Sequence, residues 1–174
     1  MIIIVFGLPG SGKSYFAERL AKMINADYVN SDRLRKEMFQ IRTYSEQEKA
    51  AVYNAMLQKT KEAVQQNRDL VLDATFHNHE TRELFAREVK EKGNICFIEI
   101  KTGEDLTRQR LKKERAYSEA GFEVYKLIRR QWEPLHEPHL SIESTDENID
   151  GMLQKAAGYL QWKDDKRTNQ QTGS

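Results

Sequence analysis

An eight-residue segment rich in glycine constrains the fold of this chain more than any other feature. It reads Gly-Leu-Pro-Gly-Ser-Gly-Lys-Ser and occupies residues 7–14. The apolar run from Ile2 to Phe6 precedes it, and apolar residues recur at helical spacing after it. A β-branched run without polar alternation is typical of a central strand that is covered on both faces. The segment is therefore predicted to be a tight turn between a buried strand and an amphipathic helix.

The spacing of this segment, G-x-x-x-x-G-K-S, is that of a P-loop, which binds the phosphates of a nucleotide. Its glycines let backbone N–H groups point at a phosphate, and the helix N-terminus adds the positive end of its dipole. Lys13 is expected to bridge the β- and γ-phosphates during catalysis, and Ser14 to bind Mg²⁺ through its hydroxyl. The predicted nucleotide-binding residues are Gly7, Leu8, Pro9, Gly10, Ser11, Gly12, Lys13 and Ser14. The glycine order does not match a dinucleotide fingerprint, so hydride transfer is not supported.

Strand-like and helix-like segments alternate along the chain, which predicts an α/β fold with a parallel sheet and helices on both faces. The later strands are predicted near Tyr28–Val29, Leu70–Asp73, Ile95–Ile100 and Leu140–Ile142. Ser45 and Glu48 form an S-x-x-E capping box, so a helix is expected to begin there and to end near Asn67. The last helix is predicted from Ile149, and residues 163–174 form a polar tail expected to be mobile. The sequence therefore predicts one domain over residues 1–162.

The composition indicates a soluble globular protein without a general affinity for polyanions. The 174 residues include 28 Lys and Arg against 27 Asp and Glu, so no global field would attract nucleic acid or an anionic membrane. No apolar segment is long enough for a membrane anchor, and none resembles a signal peptide. The single cysteine, Cys96, lies in an apolar run and is expected to be a buried thiol. A cytoplasmic location without a membrane partner is predicted.

An aspartate and an arginine follow the second predicted strand. The carboxyl ends of parallel strands face the ligand crevice, so Asp32 can point toward the γ-phosphate. A carboxylate there can take the proton of an attacking hydroxyl, which makes Asp32 the predicted catalytic base. Arg35, one helical turn later, is predicted to bind an anionic part of the acceptor. The alternative is that Asp32 only caps the following helix and that Arg35 is solvated.

A second carboxylate ends the third predicted strand. Asp73 is predicted to hold Mg²⁺, or a water bound to it, together with Ser14, and the alternative is a helix-capping role. Arg82 follows in the next helix and is predicted either to bind the acceptor or to face solvent. His77 and His79 form an H-x-H pair, but no third ligand lies nearby, so they are expected to be loop histidines rather than a metal site.

A basic segment follows the fourth predicted strand. Its cationic residues are Arg108, Arg110, Lys112, Lys113 and Arg115. A basic segment at this place can form a lid over the active site. Lids exclude water and bring guanidinium groups to the charge that develops during phosphoryl transfer. Arg110 is therefore predicted to bind the nucleotide and Arg115 to act in catalysis, on a lid near residues 110–121. The alternative is an exposed basic helix face.

Together these segments resemble P-loop kinases related to polynucleotide 5′-hydroxyl kinases, zeta-toxin-like kinases and gluconokinases. The matching segments are GLPGSGKS at 7–14, SDRLR at 31–35, VLDATF at 71–76 followed by Arg82, and RLKKER at 110–115. The run QWEPLHEP at 131–138 is similar to the segment that gluconokinases carry before their last strand. The resemblance implies a P-loop NTPase fold with a five-stranded parallel sheet in the order 2-3-1-4-5 and a lid. It also implies that Asp32 is the acceptor base, that Arg35 contacts an acceptor phosphate, and that Arg110 and Arg115 lie near ATP.

The predicted function is an ATP-dependent phosphotransferase that uses Mg²⁺ and transfers the γ-phosphoryl group to a hydroxyl. The expected partners are ATP and an acceptor, with no obligate protein partner. The acceptor is a polynucleotide 5′-hydroxyl or a nucleotide-like substrate, or alternatively a small metabolite of the sugar-acid type. A different class, an ATPase or nucleotide switch, predicts slow hydrolysis with water alone and no stimulation by an acceptor.

Overall fold

The computed structural model describes residues 1–89, 94–112 and 121–171, without the side chains of residues 162–171. Within these residues, strands and helices alternate as the sequence predicts. The strands are β1 (Ile2–Phe6), β2 (Asp27–Asn30), β3 (Leu70–Asp73), β4 (Ile95–Lys101) and β5 (Leu140–Glu143). The helices are α1 (Lys13–Met23), α2 (Ser31–Met38), α3 (Glu46–Gln65), α4 (His79–Val89), α5 (Glu104–Lys112), α6 (Phe122–Arg130) and α7 (Ile149–Gln171).

The five strands form one parallel sheet in the order β2-β3-β1-β4-β5. This order confirms the predicted P-loop NTPase-like fold. All carboxyl ends of the strands meet at one edge, where β1 leads into the glycine-rich turn. The register places Asp73 beside Val5 on one neighbour and beside Asn30 on the other. Val5, Asp73 and Asn30 therefore lie side by side near the carboxyl ends of their strands.

The apolar residues of β1 alternate between two cores because successive side chains of a strand point to opposite faces. Ile2, Ile4 and Phe6 pack with residues of α3 and α4, whereas Ile3 and Val5 pack with residues of α1 and α7. All five side chains are almost completely buried. The absence of polar residues in β1 thus follows from helices covering both faces of the sheet.

The helices differ from the predictions at three places. The segment that forms α6 was not predicted to be helical, and its Leu127 is more than half exposed. Helix α7 continues to Gln171, through most of the predicted tail, since the added residues are mostly good helix formers and extending a helix is easier than starting one. Helix α3 ends at Gln65, two residues before the predicted end. Among the described residues, no helix combines the length and apolarity required to cross a bilayer.

Candidate active site

The P-loop adopts a compact turn before α1. Gly12 precedes the helix with φ 89°, a left-handed conformation that a residue with a Cβ atom rarely adopts. A Cβ atom on Gly7 would lie 2.4 Å from the carbonyl oxygen of Ile100, so only glycine fits against β4. The Ser11 N–H donates to the Leu8 oxygen at 3.1 Å, and Lys13 Nζ lies 3.5 Å from the same oxygen. The turn is therefore held by its own backbone and by its close approach to the sheet.

Arg110 on α5 contacts the backbone of the P-loop. Its Nη1 atom donates to the Ser11 carbonyl oxygen at 3.2 Å and to Ser144 Oγ at 3.1 Å. Its Nη2 atom donates to Asp146 Oδ1 at 3.0 Å. Arg110 thus joins the P-loop to the loop after β5, at the nucleotide end of the sheet. The predicted catalytic Arg115 lies outside the described residues, as does most of the predicted lid.

Asp73, at the end of β3, is fully buried beside the P-loop. Its Oδ2 atom accepts a hydrogen bond from the Tyr28 hydroxyl at 2.8 Å and one from Asn30 Nδ2 at 2.5 Å. Asn30 Nδ2 also lies 3.4 Å from Ser14 Oγ, which places Ser14 in the same group. Among the residues described, no hydrogen-bond partner reaches Oδ1 of Asp73.

The electrostatics of this group suit a cation. Burial raises the pKa of Asp73, while the charge of Lys13 and the polar groups of Ser14, Tyr28 and Asn30 act in the opposite direction. Burial, followed by the carboxylate of Asp73, raises the pKa of Tyr28, so its phenol stays protonated and donates. A serine hydroxyl and a carboxylate oxygen that accepts no hydrogen bond among the described residues are the kinds of oxygen ligand that Mg²⁺ takes in P-loop proteins. The residues present therefore fit Mg²⁺ at Ser14 and Asp73.

Asp32 lies in the first turn of α2 and is held by Arg35. The Nη1 atom of Arg35 donates to Asp32 Oδ1 at 3.1 Å, and its Nε atom lies 2.9 Å from Glu48 Oε1. Its guanidinium carbon is 4.9 Å from the centroid of the Tyr44 ring, within cation–π range. Arg35 is buried, whereas Asp32 keeps 31% of its side chain exposed. The carboxylate of Asp32 is thus both fixed in orientation and open to a ligand.

The capping box predicted at Ser45 is only half present. Ser45 Oγ accepts the Glu48 N–H at 3.2 Å, as in an ordinary cap. The Glu48 carboxylate, however, accepts from the N–H groups of Thr43 and Tyr44 and from the Thr43 hydroxyl, at 2.6 to 3.1 Å. Glu48 therefore joins the loop before α3 to Arg35.

Tyr53 on α3 forms a hydrogen bond with the loop after β3 and lies near Asp32 and Asp73. Its hydroxyl accepts the N–H of Phe76, a residue in the left-handed conformation with φ 45°. Burial raises the pKa of Tyr53 to about 12, and the negative charges of Asp32 and Asp73 both contribute to the rise. The Tyr53 hydroxyl thus lies within electrostatic range of both Asp32 and Asp73.

Arg82 does not line this crevice. Its side chain is buried, and its guanidinium donates to the carbonyl oxygens of Phe76 at 2.8 Å, Glu133 at 2.6 Å and Pro134 at 3.3 Å. The guanidinium also lies 5.8 Å from the Phe6 ring, which stacks on Trp132 at 6.0 Å. Neither the predicted acceptor role nor the predicted solvent exposure agrees with these contacts. Arg82 holds the segment around residues 132–134 against the sheet.

The two histidines lie in the loop and first turn of α4, as expected. Burial lowers the pKa of His77, and the positive charge of Lys49 lowers it further. The His79 imidazole lies 3.7 Å from the carboxylate of Glu83, one helical turn away. The described part of the chain holds no group of three or more His, Cys, Asp or Glu side chains that could bind a metal.

Four residues of the site were not identified as functional from the sequence: Tyr28, Asn30, Glu48 and Tyr53. Tyr28 and Asn30 alternate on one face of β2, and this period of two could have indicated that both face Asp73. Asn30 also caps α2, since its Oδ1 accepts the Arg33 N–H at 2.9 Å. No local pattern indicates the pairing of Glu48 with Arg35 or of Tyr53 with Phe76.

Several solved structures share this architecture. The gluconokinase from Sinorhizobium meliloti 1021 matches with a TM-score of 0.73 and 14% identity, over 96% of this chain and 95% of that chain. The Mycobacterium tuberculosis APS kinase CysC, in complex with AMPPNP and APS, matches with a TM-score of 0.67 and 18% identity, over 92% and 96%. A chain of the Pnkp1/Rnl/Hen1 RNA repair complex matches with a TM-score of 0.63 and 22% identity, over 75% of this chain and 43% of that chain. At these identities the matches show a common fold.

The sequence also matches a known protein family. No curated protein matches it. The family model described as "AAA domain" matches residues 2–135, which include the P-loop, both carboxylates and Arg110. More than half of the chain lies within this match, and the observed sheet is that of a P-loop protein. The chain therefore belongs to the AAA domain family of P-loop proteins.

Proposed function

We propose that this protein is a kinase that transfers the γ-phosphoryl group of ATP to a hydroxyl acceptor. The observation that carries the proposal is the arrangement of Asp32, a partly exposed carboxylate fixed by the buried Arg35. A base for an acceptor hydroxyl must be held in position and must remain accessible. An ATPase switch transfers the phosphoryl group to water and has no other acceptor hydroxyl. It therefore does not require a carboxylate that a buried arginine holds in position on the acceptor side of the crevice.

The nucleotide end of the proposed site is formed by the P-loop. Lys13 would bind the β- and γ-phosphates and follow the charge as it moves to the leaving group. Ser14 and Asp73 would hold Mg²⁺, which neutralises charge on the phosphate oxygens when it is bound. Arg110 and Arg115 would approach the nucleotide on a lid at residues 110–121, within a catalytic domain of residues 1–162. We place this kinase in the cytoplasm.

On the acceptor side, Asp32 would accept the proton of the hydroxyl as its oxygen attacks the γ-phosphorus. Arg35 would orient Asp32 and contact the acceptor. The leading acceptor is a polynucleotide 5′-hydroxyl or a nucleotide-like hydroxyl, supported by the match to the RNA repair complex. The alternative is a small metabolite of the sugar-acid type. It is supported by the gluconokinase match, which spans nearly the full length of both chains.

The test is transfer of label from γ-labelled ATP, with Mg²⁺, to a panel of acceptors. The panel contains 5′-hydroxyl DNA and RNA, nucleosides, sugar acids and nucleotide-sugars. We expect Asp32→Asn to reduce transfer by about 100- to 10,000-fold, the usual contribution of a general base, and to leave ATP binding intact. Asp150→Asn, at an exposed aspartate of α7, is the matched control and should retain full activity.

Each outcome of this experiment has a distinct meaning. Label on an oligonucleotide end, with acceptor binding that weakens steeply as salt rises, supports the leading acceptor. Label on one metabolite with little salt dependence supports the alternative. Label found only as inorganic phosphate, with no acceptor increasing the rate, would refute the kinase proposal and favour a nucleotide switch.

A further inference from the structure

Asn30 contacts both halves of the proposed site. Its Nδ2 atom donates to Asp73 Oδ2 at 2.5 Å and lies 3.4 Å from Ser14 Oγ. Its Oδ1 atom accepts the N–H of Arg33 at 2.9 Å and so caps α2, the helix that carries Asp32. A single buried amide therefore contacts the two candidate Mg²⁺ ligands and the first turn of the acceptor-side helix.

The orientation of this amide follows from its neighbours. The backbone N–H of Arg33 is a donor and needs an acceptor, so the amide oxygen must face α2. The carboxylate of Asp73 is an acceptor and needs a donor, so the amide nitrogen must face β3. A flipped amide would place oxygen against oxygen and nitrogen against nitrogen. A side chain at this position must therefore carry both a donor and an acceptor, and asparagine supplies both in one short amide.

The parallel register brings Asn30 and Asp73 together. Asn30 is the register partner of Asp73 at the carboxyl ends of β2 and β3. Side chains in register on neighbouring parallel strands point to the same face of the sheet, and a shift of one residue would reverse this. Because α2 begins at Ser31, directly after Asn30, the same residue ends the strand and positions the helix.

The hydrogen bonds to Asp73 are unevenly distributed over its carboxylate. The Tyr28 hydroxyl and Asn30 Nδ2 both donate to Oδ2. Oδ1 is buried and accepts no hydrogen bond within the described part of the chain. Two donors on one oxygen fix the rotation of the carboxylate and leave the other oxygen for a ligand, which is how supporting residues orient metal ligands.

We propose that Asn30 is a positioning residue that aligns the candidate Mg²⁺ ligands Ser14 and Asp73 with the helix carrying Asp32. The inference rests on the proposed function, since it assigns Asn30 a role in the same site. Asn30 acts only through its neighbours. Its amide nitrogen orients the metal ligands, and its amide oxygen orients the first turn of α2. The two roles use different atoms, so they can be separated by substitution.

The experiment compares Asn30→Ser with Asn30→Ala in the full chain. Serine is as good an N-cap residue as asparagine, but it is shorter and cannot also donate to Asp73. The first readout is the binding of a fluorescent ADP analogue at increasing Mg²⁺, which does not depend on an acceptor. We expect both variants to need about tenfold more Mg²⁺ for half-maximal enhancement of ADP-analogue binding. A loss of metal affinity of this size is typical when a residue that supports a metal ligand is removed. Asn30→Ala should lower the melting temperature more than Asn30→Ser does, because only serine retains the cap.

Asn78→Ser is the matched control. Asn78 Oδ1 accepts the Thr81 N–H at 3.0 Å, a cap with the same i to i+3 geometry as that of Asn30. This variant should leave the Mg²⁺ dependence unchanged. Variants of Asn30 with the Mg²⁺ dependence of the wild type would overturn the inference, and so would wild-type binding that Mg²⁺ does not enhance. A wild type that binds Mg·ADP but phosphorylates no acceptor would instead refute the proposed kinase function, so the two failures are distinguishable.

Discussion

The Nε atom of Arg35 lies 2.9 Å from Oε1 of Glu48, and both side chains are almost completely removed from solvent. On its other side, the same guanidinium donates to Asp32 at 3.1 Å. A buried cation is therefore shared between a carboxylate that is part of the scaffold and a carboxylate that faces the crevice. An unpaired buried charge is strongly unfavourable. The loss of Glu48 or of Asp32 should therefore alter the interactions of Arg35 with the carboxylate that remains.

Glu48→Gln should destabilise the protein at neutral pH, and this effect should disappear in acid. Burial raises the pKa of Glu48, but hydrogen bonds from Thr43 and Tyr44 and the charge of Arg35 bring it below its ordinary value. A carboxyl with a depressed pKa in the folded state contributes stability above its unfolded pKa of about 4.3, and this contribution is lost as the pH falls through the folded value. The measurement is the urea midpoint of wild type and variant between pH 7 and pH 3.

Glu46→Gln is the control for that experiment, since Glu46 lies in the same first turn of α3 and is exposed. The ammonium of Lys49 holds the pKa of Glu46 below its ordinary value, but an exposed pair contributes little to stability. Its urea midpoint should stay close to that of the wild type at every pH. A difference between wild type and Glu48→Gln that does not change with pH would contradict the ion pair.

Arg82→Lys should reduce stability without weakening acceptor binding. Lysine keeps the charge but cannot donate to three carbonyl oxygens in the planar geometry of a guanidinium. Leaving buried carbonyl oxygens without donors should cost about 3 kcal/mol in the free energy of unfolding. Chemical denaturation measures this cost, and the acceptor KM should not change. Arg87→Lys, at an exposed residue of the same helix, should have almost no effect on either quantity. A raised acceptor KM in Arg82→Lys, at unchanged stability, would restore the acceptor role.

Gly12→Ala should disable the P-loop. An added Cβ atom would lie 2.8 Å from Ser144 Oγ and 3.0 Å from Arg110 Nη1, and alanine rarely adopts φ 89°. We expect a loss of about 1–3 kcal/mol in stability from the backbone strain and at least about tenfold weaker ADP binding. Calorimetric titration with Mg·ADP measures the binding. In Gly158→Ala the added atom meets no described atom within 4 Å, so this helical control should bind normally and gain up to about 1 kcal/mol. Normal binding by Gly12→Ala would show that the loop tolerates a Cβ atom there.

Tyr53→Phe should destabilise the loop after β3 and leave the core packed. The ring of Tyr53 contacts that of Phe76 edge-on at 5.3 Å, and phenylalanine preserves this contact. The buried N–H of Phe76 would lose its acceptor, at a cost of about 1–2 kcal/mol in the free energy of unfolding. Tyr159→Phe is the matched control, because the hydrogen bond from the Tyr159 hydroxyl to the Pro138 oxygen is longer, at 3.4 Å, and exposed to solvent. Equal stabilities of the two variants would argue against a structural role of the Tyr53 hydroxyl.

Features that depend on local sequence patterns were predicted well. The P-loop turn needs glycine at defined positions, and the strands are short apolar runs between turn residues. Asp32 and Asp73 could be placed at one edge because all strands of a parallel sheet end there. The sheet order could not be obtained from these patterns and came from the resemblance to P-loop kinases.

Contacts between residues distant in sequence were not predicted. Arg82 was expected at the crevice or in solvent, and its partners Glu133 and Pro134 lie about 50 residues away. The pairing of Asn30 with Asp73 requires the register of two strands that are 40 residues apart. The carboxylate of Glu48 accepts hydrogen bonds from Thr43 and Tyr44 and pairs with Arg35. The capping-box pattern predicted only a local bond at the start of α3. Such side-chain choices depend on the packed structure rather than on the local pattern.

The central position of β1 has a consequence for the order in which the protein can form during synthesis. Residues 2–6 leave the ribosome before their two neighbours in the sheet, which are residues 70–73 and 95–99. The most apolar strand therefore has no partner until β3 has been made, and it lacks its second partner until β4, at residues 95–101, is complete. Pairing of this kind is slow because it closes long loops. The P-loop cannot reach its final shape before then, since Gly7 packs against Ile100. A nascent chain that stops before β4 should expose an apolar segment prone to aggregation and should not bind nucleotide.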